Sequence, residues 1–79
     1  MTNLEKYNAS FTKVFNVEGA KLKSLEYKQT PEWNSMAQIA LVAQLEDAFD
    51  LDFDMDDIYD LTSYMKGLEL LNTKFEIEF

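Results

Sequence analysis

Cysteine and histidine are both absent from the 79 residues. Without cysteine there can be no disulfide, thiolate nucleophile or thiolate metal site. Without histidine the commonest general base and metal ligand is missing, which argues against an enzyme. The two glycines form no phosphate-binding glycine loop. No apolar run reaches the ~18 residues that suggest a membrane-spanning helix, so no membrane insertion is expected. The opening Met-Thr-Asn-Leu-Glu-Lys lacks the basic and apolar regions of a signal peptide. A cytoplasmic location is expected.

Acid is plentiful, and it is unevenly placed. Residues 1–30 carry five lysines and three glutamates, whereas residues 31–79 carry two lysines and twelve acids, giving −8 overall. Such a surface repels nucleic-acid phosphate and attracts basic faces of partner proteins. The length suits one domain, 1–79, with one modest core, and the chain is expected to act as a monomer.

Leu4, Tyr7, Phe11, Val14 and Phe15 recur at helical spacing, which predicts an amphipathic helix over 3–15 with an exit at Glu18-Gly19. Residues 17–32 form a long connection, pinned by Leu22, Leu25 and Tyr27 and closed by Pro31. A second helix, from Ser35 to Phe49, is apolar on most sides, with Ile39, Val42, Leu45 and Phe49 tracing one stripe. Asp50 to Asp56 alternates with period two but has no partner strand, so it reads as an extended loop with Leu51 and Phe53 turned inward. A short helix is expected over 56–60. A last helix, capped by Thr62, is expected over 63–72, with Tyr64, Leu68 and Leu71 facing the core. Gly67 inside it costs about 1 kcal/mol against alanine. The fold class is therefore all-α: three main helices, one short helix and a long first loop.

The most informative segment is Trp33-Asn34-Ser35-Met36, followed by Leu45-Glu46-Asp47-Ala48-Phe49, the acidic loop and Leu61-Thr62-Ser63-Tyr64. In order and spacing it resembles the acyl and peptidyl carrier proteins across nearly the whole chain. The resemblance implies that Ser35 is esterified with 4′-phosphopantetheine by a separate magnesium-dependent transferase using coenzyme A. The thiol of that arm would then carry acyl or aminoacyl groups as thioesters. Partners would be a phosphopantetheinyl transferase and acyl-loading and acyl-using enzymes with basic docking faces. An apolar cargo cleft is expected from Val42, Leu45, Phe53, Ile58, Leu61 and Leu68, and partner contacts from Asn34, Met36, Glu46 and Asp47. An N–H-rich helix start beside Ser35 would suit a phosphodiester.

Asn34 stands where the family usually has aspartate and Met36 where it has leucine. The first change keeps capping but removes a carboxylate beside the serine. Ser35-x-x-Gln38 also reads as a plain capping box that needs no chemistry. Asp50, Asp52, Asp54 and Asp56 do not make a calcium loop, because neither register places glycine sixth and glutamate twelfth. No metal site is expected. Trp33 reads as a core aromatic. Met36, Met55 and Met65 fit either a pliable surface or core filling. The rival to a carrier is a cofactor-free acidic helical interaction module.

Overall fold

The computed structural model describes every residue from Met1 to Phe79. The elements are α1 (Asn3–Phe15), a 3-10 helix (Gly19–Ser24), α2 (Ser35–Phe49), α3 (Met55–Asp60) and α4 (Tyr64–Phe75), with no strand. Thr2 starts α1 with a reciprocal box: its hydroxyl accepts from the Glu5 N–H, and the Glu5 carboxylate accepts from the Thr2 N–H. The helix stops at Asn16, which takes the left-handed conformation (φ 56°), not at Glu18-Gly19. Asparagine tolerates that conformation because its short polar side chain bonds locally. Gly19 does adopt a positive φ, but it opens the 3-10 helix.

Tyr7, Phe11 and Phe15 on one face of α1 form an aromatic core with Trp33 and Tyr64. Phe11 meets Trp33 and Tyr64 edge-on at 5.7 and 5.3 Å, the arrangement favoured by ring quadrupoles. Trp33 is 1% exposed and is a core residue, as expected. α1 packs mainly on α2, while α4 packs on α3 and the 3-10 helix. Leu22 and Leu25 anchor the long connection in the core. Backbone bonds then stitch it to the entry of α4: Tyr27 N–H to Thr62 C=O (2.8 Å) and Tyr64 N–H to Leu25 C=O (3.0 Å).

Three expectations change. The buried face of α2 is Gln38, Leu41, Val42 and Leu45, and Ile39 lies 72% exposed. The stripe is rotated by one residue because a glutamine, not an isoleucine, occupies the first core position. The last helix is capped by Ser63, whose hydroxyl accepts from Lys66 N–H at 2.9 Å, and runs to Phe75. Thr62 lies one residue outside the helix, with its carbonyl accepting from Tyr27 N–H, whereas the Ser63 carbonyl accepts the first bond from within α4, Gly67 N–H. Tyr64, Leu70 and Leu71 are buried, and Leu68 is only half-buried. Met36, Met55 and Met65 are all exposed, which makes them surface residues.

Leu51 and Phe53 turn inward as expected and pack against the core. Asp54 and Asp57 form the reciprocal box that starts α3 at Met55, one residue early. Asp57 is 2% exposed, and its carboxylate also accepts from Lys74 Nζ at 2.6 Å, while Asp54 accepts from the same ammonium at 2.9 Å. This clamp joins the end of α4 to the start of α3. The tail folds back: Ile77 N–H reaches Leu71 C=O (3.1 Å), and the Phe79 ring sits 5.4 Å from that of Tyr7.

The clamp sets an expected pH profile. The Lys74 ammonium and then the Asp57 N–H hold the Asp54 carboxyl below its ordinary 3.8, and the Thr2 N–H holds Glu5 below 4.5. Their contributions are present above those values and are lost as pH falls through the lower folded ones. Hydrogen bonds to Asp57 and Asp54 raise Lys74 above 10.5, and burial raises Tyr7 and Tyr64 above 10.0. These contributions are complete below pH 10 and are lost as pH rises through the folded values. Thermal melts across pH should give a plateau between about 4.5 and 10 with both limbs falling. Lys74→Met should lower the plateau and flatten the acid limb.

Candidate functional site

Asn34, not Ser35, caps α2: its side-chain oxygen accepts from Ala37 N–H at 3.0 Å. The Ser35–Gln38 capping box is therefore not formed. Gln38 points inward, accepts from Trp33 Nε1–H, and donates to Ile58 C=O (2.8 Å) and Leu61 C=O (3.0 Å). One buried amide thus ties the entry loop, α2 and the end of α3 together. No buried side-chain polar atom in the protein lacks a partner.

With capping done by its neighbour, Ser35 is the first residue of α2 and is exposed. Its hydroxyl has one side-chain contact, the Tyr27 hydroxyl at 3.3 Å. It opens onto a cleft of about 410 Å³ between the connection, α2 and α3, walled by Tyr27, Lys28, Ile39, Ile58 and Tyr59 and floored by Gln38. No carboxylate lines this cleft, although the protein carries fifteen acids. Met36 (81% exposed), Ile39 and Tyr59 (70% exposed) give the surroundings an apolar surface. A wider trough of about 710 Å³ runs along α4, lined by Met65, Lys66, Leu68 and Phe79. It is an open surface and does not include Ser35.

Of the residues expected to meet partners, Asn34 and Met36 flank Ser35. Glu46 and Asp47 stand roughly 17 Å further along α2, at 1.5 Å per residue. Asp47 is exposed, but Glu46 is half-buried and its carboxylate accepts from Phe53 N–H at 2.9 Å, so it serves the acidic loop. The six residues expected to line a cargo cleft do not come together. Ile58 and Leu61 border the cleft at Ser35. Val42 and Leu45 lie in the core. Phe53 packs on Phe75 with centroids 5.5 Å apart, and Leu68 faces the α4 trough.

Tyr27, Lys28, Ile39 and Tyr59 were not among the expected site residues. Ile39 could have been found, because a residue four places after Ser35 shares its helix face. Tyr27 and Lys28 reach the site through a loop with no periodicity to read. No group of histidine, cysteine or acidic residues is placed to hold a metal ion, and no helix is long and apolar enough to cross a membrane. Comparison of the chain with protein-family models, curated proteins and solved structures finds no match.

Proposed function

We propose that this chain is a discrete carrier protein of the acyl-carrier type, with 4′-phosphopantetheine attached to Ser35. The observation that carries the reading is a solvent-facing serine hydroxyl on the first residue of a fifteen-residue apolar helix, with capping left to Asn34. The hydroxyl is free to form an ester without unfolding the helix start. Coenzyme A would supply the arm: the Ser35 Oγ–phosphorus bond forms as the hydroxyl gives up its proton to a base of the transferase and the bond to the adenosine 3′,5′-bisphosphate leaving group breaks. The order of helices, the signature around Ser35 and the acidic loop support the same reading. So does the absence of cysteine, because the working thiol would come from the arm. Ser35 alone would hold the cofactor covalently, and a basic docking face would approach over Asn34, Met36 and Asp47.

The exposed Met36, Ile39 and Tyr59 also suit a cofactor-free interaction module. Mass spectrometry after incubation with coenzyme A and broad-range phosphopantetheinyl transferases separates the two. The carrier gains one phosphopantetheine in the wild type and none in Ser35→Ala. No gain with any transferase, either in the wild type or in Asn34→Asp, would favour the module.

A further inference from the structure

The cleft at Ser35 has an electrostatic character opposite to that of the protein around it. The chain carries a net −8, yet the cleft's lining contains one lysine, five hydroxyl- or amide-bearing side chains and no acid. Lys66 pairs with Glu69, and Lys74 pairs with Asp54 and Asp57. The other five lysines make no ion pair; of these Lys28 is the one that lines the cleft, and its Nζ lies 5.7 Å from the Tyr27 ring centroid. A lone cation in an acid-free cleft on an acidic protein is placed to receive an anion.

Both residues are held there by the backbone. Tyr27 N–H is bonded to Thr62 C=O at 2.8 Å, and Lys28 N–H to Trp33 C=O at 3.2 Å, two residues before Ser35. Lys28 takes a left-handed conformation (φ 68°), which is costly for a residue with a β-carbon. The Tyr27 ring rests edge-on against Trp33 at 6.4 Å, leaving its hydroxyl 3.3 Å from Ser35 Oγ. A phosphorus bonded to Oγ carries its free oxygens one bond further out, within reach of that hydroxyl.

We infer that Tyr27 and Lys28 are positioning residues for the phosphate of the Ser35 arm. The Tyr27 hydroxyl donates to one free oxygen, and the Lys28 ammonium pairs with the same group across the cleft mouth. In the unloaded protein Tyr27 holds Ser35 Oγ in one orientation; after loading it holds the base of the arm. This rests on the carrier reading for its physiological ligand, but the cradle itself can be tested without any transferase.

The test uses the full chain with phosphoserine incorporated at position 35, followed by 31P NMR against pH. A phosphomonoester loses its second proton near pH 6 (about 6). A donor and a cation beside it favour the dianion and lower that value. Tyr27→Phe and Lys28→Gln should each raise the observed 31P midpoint by about 0.5 relative to the parent, and together by about 1. The Lys28 effect should shrink in high salt. Tyr27→Phe keeps the ring packing, and unchanged melting curves serve as the folding control. Identical 31P midpoints in parent and variants overturn the inference, whatever happens with coenzyme A. Altered midpoints in a chain that no transferase loads would uphold the cradle and refute the carrier reading instead.

Discussion

Replacing Gly67 with alanine should destabilise the domain by about 2–4 kcal/mol, against a gain of about 1 kcal/mol expected from helix propensity alone. A β-carbon at 67 would overlap the Tyr7 hydroxyl and lie 2.8 Å from Leu61 Cδ1. Neither neighbour can yield easily. Tyr7 is fully buried and donates to Tyr64 C=O at 2.6 Å, and Leu61 is 1% exposed. Moving Tyr7 would break that buried bond and disturb the rings packed on it. A domain of this size holds roughly 4–12 kcal/mol in total, so the loss is a large share. Urea denaturation checks it. Tyr7→Phe removes the overlapping atom, and the double variant should be more stable than the sum of the two single losses. A coupling of at least about 1 kcal/mol is expected. Simple additivity would mean that the glycine is not there to admit the tyrosine.

That prediction has no counterpart in the chain's local pattern, and the reason is general. Elements that local chemistry determines were legible: α2 runs from Ser35 to Phe49 as its apolar composition and the charge at Glu46 and Asp47 indicate. The inward turn of Leu51 and Phe53 followed from alternation without a partner strand. Choices made by distant groups were not legible. Thr62 and Ser63 both can cap, serine somewhat better, and the Thr62 carbonyl is taken by Tyr27, 35 residues earlier, which leaves the cap to Ser63. Asn34 and Ser35 are equal as caps. The structure gives the task to Asn34, and this leaves the Ser35 hydroxyl exposed.

The same logic separates the parts of the candidate site. Ser35, Asn34 and Met36 were legible because they are consecutive. Tyr27 and Lys28 were not, because only the backbone stitches to Thr62 and Trp33 bring the connection over α2. The cargo lining was expected from the family resemblance, and its six residues lie on four separate segments that the sequence alone does not bring together. Every apolar side chain on the true core face of α2 is already packed, so of the six expected residues only Ile58 and Leu61 reach the cleft at Ser35, beside Ile39 and Tyr59.

Gln38→Met should cost about 3 kcal/mol, with the damage concentrated in α3. Methionine nearly conserves volume and needs no partner, so the loss isolates hydrogen bonding from packing. It leaves the Trp33 indole N–H and the carbonyls of Ile58 and Leu61 without the amide that now serves all three. Water cannot easily replace it, because Gln38, Trp33 and Leu61 are buried. α3 has only six residues and is held at its start by the Lys74 clamp; without Gln38 its far end has no such latch. Amide exchange at Ile58 to Leu61 should therefore quicken by about 100-fold, while α1 amides slow-exchanging through global unfolding change only with overall stability. Trp33→Phe in the Gln38→Met background removes the orphaned donor and should recover part of the loss, although the Leu61 carbonyl stays unpaired and that of Ile58 keeps only the Leu61 N–H at 3.3 Å. If exchange in α3 is no faster than in α1, the glutamine is a core filler, and the short helix is held over the Ser35 cleft by packing alone.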